Sequence, residues 1–184
     1  MNFTSEQIIK AFDKKGYKFS DKGIDIIGIR STIVKFNYFT DLVGIILNKS
    51  ELKLWEATTR PGKWFMEHPM NPGGCFIMVP GQYVDAYDFG LHYTQDALIQ
   101  VGLLKGYRDD NCNDTFDLDP EKMFVGNYFR VDIHHKENDS ETIDMGSAGC
   151  QVFKHTLNHK EFMKICHQYK GKFTYTLLEE SDFI

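Results

Sequence analysis

Leu42-Val43-Gly44-Ile45-Ile46-Leu47, then Asn48-Lys49-Ser50-Glu51, then Leu52-Lys53-Leu54-Trp55-Glu56-Ala57, is the stretch whose reading decides the fold. Two apolar runs flank a polar, turn-like tetrapeptide, which is the signature of a β-hairpin. Upstream, Ile24-Asp25-Ile26-Ile27-Gly28-Ile29-Arg30 reads as a largely buried strand, and downstream Cys75-Phe76-Ile77-Met78-Val79 reads as another. Pro61-Gly62 and Pro80-Gly81 put Pro and Gly where a type II turn wants them. Fifteen Phe and nine Tyr push the bias further toward pleated structure.

Two helices are expected near the ends of the chain. Thr4 with Gln7 forms a capping-box pair, Ile8, Ala11 and Phe12 share a helical face, and Gly16 is a natural stop, giving a helix over about 5–15. Asn158 is the expected cap of a second helix over about 158–170, with Phe162, Ile165, Cys166 and Tyr169 on one side. Lys172 to Leu178 then closes the chain as a strand. The expectation is one α+β, mainly β domain over 1–184, strand-dominated with two or three peripheral helices.

A net charge of −5 and four scattered arginines (Arg30, Arg60, Arg108, Arg130) lack the basic footprint of a general nucleic-acid binder. No apolar run approaches the roughly 20 residues of a membrane span. The first residues lack the basic and apolar regions of a signal peptide, so synthesis in the cytoplasm is expected. Cys75, Cys112, Cys150 and Cys166 are then expected as free thiols, with Cys75 and Cys166 in or near the core.

The chemistry concentrates in two segments, Arg130-Val131-Asp132-Ile133-His134-His135 and Gly146-Ser147-Ala148-Gly149-Cys150-Gln151-Val152. Asp132 and His134 alternate with Val131 and Ile133, so a strand sends the polar pair to one face and the apolar pair to the core. Residues 136–144 are a polar loop able to return the chain beside that strand. A free thiol is only a few per cent ionised at neutral pH, and a neighbouring imidazole can take its proton and later return it to a leaving group. Gly149 allows close approach of a substrate, and the N–H groups near Gly149 and Cys150 are candidate oxyanion donors. Ser147 is expected to orient the loop or His134. His135 is a rival base, but adjacent strand residues face opposite ways, so only one of the pair can serve Cys150.

Ile133-His134 and Ser147-Ala148-Gly149-Cys150 resemble the signature of the L,D-transpeptidase catalytic domain, over roughly residues 128–153. Ala57-Thr58-Thr59-Arg60-Pro61-Gly62 is weakly similar to a turn of that family. Uncharacterised phage-encoded members are similar in the Ser147–Val152 pattern and in Pro80-Gly81-Gln82-Tyr83. The resemblance implies a domain of the L,D-transpeptidase type, with Cys150 as nucleophile and His134 as base. It implies peptidoglycan stem peptides as substrate, a thioester intermediate, and transfer to an amine or to water without a cofactor. Action would be at the cell wall or as a virion component, with oligomeric state open. This chain has His135 where the family has Gly, Ala148 where it has His, and Val152 where it has Arg or Asn. Arg60, Arg130 and Gln151 are therefore the candidates to hold substrate. The alternative is a non-catalytic virion or wall-binding module that keeps the fold.

Asp109, Asn111, Asn113 and Asp117 alternate as calcium-loop ligands do, but Pro120 stands where the loop needs a bidentate Glu, and a solvated acidic turn is the expectation. Cys150, His155 and His159 have no fourth zinc partner nearby, so no metal is expected. His92 is a candidate cleft residue on its aromatic setting alone. Trp55 and Trp64 suit either glycan stacking or the core.

Overall fold

A computed structural model describes residues 2–111, 113–116 and 118–184. In chain order the strands are β1 (Ile24–Arg30), β2 (Asp41–Leu47), β3 (Glu51–Thr58), β4 (Cys75–Met78), β5 (Gly81–His92) and β6 (Gln95–Gln100). They continue with β7 (Leu104–Asp109), β8 (Met123–Gly126), β9 (Ile133–His135), β10 (Gln151–Phe153) and β11 (Phe173–Glu179). The α-helices are α1 (Ser5–Lys15), α2 (Lys63–Glu67) and α3 (Thr156–Cys166). The mainly β, α+β expectation holds at this level.

Eight strands close into a barrel in the order β1-β11-β5-β6-β9-β10-β3-β2, and β4-β7-β8 form a separate three-stranded sheet. The hairpin is β2–β3, paired from Leu47↔Glu51 to Asp41↔Ala57. Asn48 and Lys49 both adopt positive φ in its turn, and Ser50 N–H donates to Leu47 O at 2.9 Å. Two neighbouring pairs are parallel, β1 with β11 and β9 with β10, and both need long crossovers rather than hairpins. The ladders around β9 and β10 are short: β6 meets β9 only at Leu98↔Ile133, and β10 meets β3 at Val152↔Thr58 and Phe153↔Ala57.

Every residue of β1 is buried, because the strand is covered on both faces. Ile24 and Ile26 join Val43, Phe153, Tyr175 and Leu177 in the main core. Ile27 and Ile29 pack outward against Ile8, Ala11 and Phe12 of α1. That helix has the expected bounds, with the reciprocal Thr4–Gln7 capping box and Gly16 at φ +71°. Phe76 of β4 and Leu104 of β7 carry the small sheet onto the main core.

Two expectations need correction, and the open choice for the tryptophans divides between them. Gly62 has φ −86° and starts α2, and neither it nor Gly81, the first residue of β5, takes the positive φ of a type II turn. A Cβ on Gly62 would lie 2.2 Å from Asp144 O, so close packing explains that glycine. Helix α3 starts two residues before Asn158 and ends at Cys166 rather than near 170. Its cap comes from a distant loop, with Asp139 accepting from the Thr156 N–H at 2.9 Å. Trp55 packs against Phe153 and Phe162, whereas Trp64 is exposed and stacks on His68.

Cys150 and Cys166 carry free thiols, as expected, and Cys75 and Cys166 are buried, as expected; Cys150 is buried as well. Cys112 and Asp117 lie outside the described residues, and with them part of the acidic turn. Asp109 is buried at the end of β7, and Asn111, Asn113 and Thr115 N–H groups each donate to the side chain two residues back. No described helix is long and apolar enough to cross a membrane.

Candidate active site

The site is built where β9 and β10 run parallel. Val152 lies opposite His134 and Gln151 opposite Ile133, so the residues entering the two strands meet at one end of the barrel. This brings Cys150 beside the chain segment 130–134, although sixteen residues separate the thiol from His134. The expected alternation is present. Ile133 enters the core, while Asp132 and His134 reach the floor of a cleft of about 520 Å³. Phe65, Met70, Phe76, Tyr93, Tyr128 and Phe129 wall it, with Arg108 and Arg130 alongside.

Cys150 is 8% exposed and its Sγ donates to Arg130 O at 3.4 Å. Arg130 takes the left-handed φ of +56° there, uncommon for a residue with a Cβ. One ring nitrogen of His134, one of His92 and the Cys150 sulfur all lie within 4.8 Å of one another. His134 Nδ1 sits 2.8 Å from His135 O, which assigns its N–H to that carbonyl and leaves Nε2 as the basic atom. His92 stacks on His134 with centroids 3.8 Å apart and planes 8° from parallel. Its own Nδ1 is 2.9 Å from Asp132 Oδ2. Asp132 is fully buried, accepts the Gln100 N–H at 3.1 Å, and has Arg130 Nη2 at 3.5 Å.

Electrostatics keep the Cys150 thiol and the His134 ring uncharged at rest. Burial pushes the Cys150 thiol up to about 12, and the Asp132 carboxylate adds repulsion against a thiolate. Burial lowers His134 to about 3, and the neighbouring His92 acts in the same direction. Asp132 stays below the usual carboxylate range: burial is the largest single influence and acts upward, but the hydrogen bonds from His92 and Gln100 and the electrostatic pull of His92 and Arg130 together outweigh it.

Ser147 orients the loop rather than His134. Its Oγ donates to Cys150 O at 2.8 Å and accepts the Gly149 N–H at 3.1 Å. The Gly149 N–H is thus occupied, which leaves the Cys150 N–H of the two expected oxyanion donors. Gly149 itself has φ +130°, and a Cβ there would lie 2.5 Å from Phe76 O. Gly149 is where the small sheet leans on the loop that carries Cys150.

The three expected substrate-binding residues separate. Arg130 is largely exposed at the cleft. Arg60 does not line it: its Nη1 pairs with buried Asp41 at 2.6 Å and its Nη2 donates to Ser31 O at 2.7 Å. Gln151 is fully buried, donating to Gly149 O and accepting from Tyr175 OH at 2.8 Å. It braces the turn from inside the barrel. His135 faces a second cavity lined by Gln95, Asp96, His159, Met163 and His167, away from the thiol. His159 lies there too, and His155 pairs with Asp139, so neither joins Cys150.

His92 and its tie to Asp132 were not legible as a partner of the site. Forty residues separate the two, and barrel closure through β6 brings them together. The aromatic setting of His92 marked it only as a candidate cleft residue, and it does line the cleft. Comparison with protein-family models, with curated proteins and with solved structures finds no match for this chain.

Proposed function

We propose that the cleft carries out cysteine-dependent acyl transfer or hydrolysis on peptide substrates through a thioester on Cys150, with peptidoglycan stem peptides as the substrate class. The observation that supports it is the convergence of the Cys150 sulfur and the His134 ring on the floor of one cleft, at the spacing 4.8 Å allows. The choice of stem peptides rests on the resemblance over residues 128–153 and on Arg130, a cation placed to meet a substrate carboxylate.

The resting thiol is protonated and the imidazole neutral, so the nucleophile forms only as it attacks. The Cys150 S–H proton moves to His134 Nε2 while sulfur bonds to the substrate carbonyl carbon. The carbonyl oxygen becomes an oxyanion facing the Cys150 N–H. The imidazolium then protonates the leaving amine, the C–N bond breaks, and a thioester remains. An amine or water attacks that thioester, giving its proton to His134, and the thiol is regenerated. Asp132 holds His92 against His134 and favours the transient imidazolium.

One observation favours a second reading, a binding module without turnover: the thiol is 8% exposed and its hydrogen bond goes to Arg130 O rather than to His134. Incubation of the protein and Cys150→Ala with purified stem peptides, followed by mass spectrometry, separates the two. Acyl transfer requires new peptide products and a mass adduct on Cys150, both lost in Cys150→Ala. Peptide binding without products or adduct would leave the binding module.

A further inference from the structure

The same floor carries one more metal-type donor than the base and nucleophile of acyl transfer account for. Acyl transfer uses one imidazole, yet two parallel imidazoles and a thiol converge within 4.8 Å. Each ring is held through Nδ1, His92 by the Asp132 carboxylate and His134 by the His135 carbonyl. That leaves an Nε2 lone pair on each. This is the outer-partner pattern of histidines that ligate metals, in which the second ring nitrogen is tied to a carboxylate or backbone carbonyl. Asp132 is itself anchored by the Gln100 N–H, so the tie is rigid.

We propose that His92, His134 and Cys150 form a tripodal site for a zinc-class divalent cation, with the fourth position facing the cleft. Two nitrogens and one sulfur select a borderline-soft cation over calcium or magnesium, which prefer oxygen. Tetrahedral zinc, with bonds of roughly 2.0–2.3 Å, sets its ligand atoms about 3.3–3.6 Å apart. The cluster therefore has to contract by no more than about 1.5 Å, within reach of side-chain rotation. On binding, the Cys150 S–H proton leaves to solvent, the thiolate bonds to the cation, and each Nε2 donates its lone pair. A thiolate held by a cation is not free to attack a carbonyl. Metal and thioester thus exclude each other, and the cation acts as a reversible cap on the thiol. The site shares Cys150 and His134 with the acyl-transfer reading but does not depend on turnover.

The test is titration of chelator-treated protein with cobalt(II) chloride, followed by competition with zinc chloride. One equivalent of cobalt should produce a thiolate-to-metal charge-transfer band in the near ultraviolet, and zinc should erase it. Cys150→Ser should abolish the band, and His92→Gln and Asp132→Asn should each weaken binding by about 10- to 100-fold. The wild type supplies a readout independent of any variant: zinc should shift the imidazole nitrogens of two histidines in a long-range proton–nitrogen spectrum. No saturable band, a band that survives Cys150→Ser, or a zinc titration that moves no imidazole nitrogen would each overturn the site. Metal-free protein that acylates but ignores cobalt sinks the cation site alone. Protein that binds cobalt but never acylates sinks the acyl-transfer reading alone.

Discussion

His134 and His135 are neighbours in one short strand, yet they live in different surroundings. The His134 face of β9 looks onto Cys150, His92 and Asp132 under a cleft walled by aromatics. The His135 face looks onto His159, Asp96 and His167 beside α3. Each face buries an imidazole lowered to about 3, His134 on one side and His159 on the other. What separates the faces is therefore not burial or charge suppression. It is the presence of a thiol and of a fully buried carboxylate on the His134 side. A lowered histidine alone says little about function.

The sharpest way to break this contrast is to remove each ring in turn. His134→Ala should cut acyl-adduct formation by at least about 100-fold, the usual loss for a positioned general base, while His135→Ala should leave it near wild type. Equal losses, measured by adduct mass against time, would erase the distinction between the faces. Next comes Gly149→Ala, which forces a Cβ into Phe76 O at a φ that only glycine tolerates. A loss of about 3 kcal/mol in urea unfolding is expected. Gly146→Ala should be far milder, since a Cβ there meets only the flexible Lys136 side chain.

Acid should act on both faces together. His134 and His159 have folded values depressed below the ordinary 6.5, so the unfolded chain binds more protons between about 3 and 6.5. Their contribution is complete above pH 6.5 and is lost as pH falls toward 3, at about 2 kcal/mol per ring by pH 5. His159→Leu should flatten this slope, as read from urea midpoints at pH 7 and pH 5, without touching adduct formation. An unchanged slope would mean that His159 takes up its proton in the folded state. The smallest expected effect is Asp139→Ala, which uncaps α3 at a cost of about 1 kcal/mol and leaves the cleft intact.

Much of the scaffold was legible wherever its causes are local. The β2–β3 hairpin, the capping box of α1, the alternation of Asp132 and His134, and the opposed directions of the two histidines all follow from neighbours within a few residues. What escaped was set by closure of the barrel. The parallel pairing of β1 with β11 joins the two ends of the chain, and no local pattern announces it. The same holds for His92 meeting Asp132, and for Asp139 capping a helix from a loop. Arg60 and Gln151 looked available because their partners, Asp41 and Tyr175, are distant in sequence.

The short ladders of β9 and β10 set where this barrel breathes. One register pair to β6 and two to β3 leave those amides far fewer shared bonds than the seven-pair β2–β3 ladder has. Hydrogen–deuterium exchange should find Ile133–His135 and Gln151–Phe153 opening ahead of the β1–β2–β3 wall, by sub-global fluctuation rather than full unfolding. The thiol thus hangs on a stave with few shared bonds, so exchange at Gln151–Phe153 reports how firmly its own support is held.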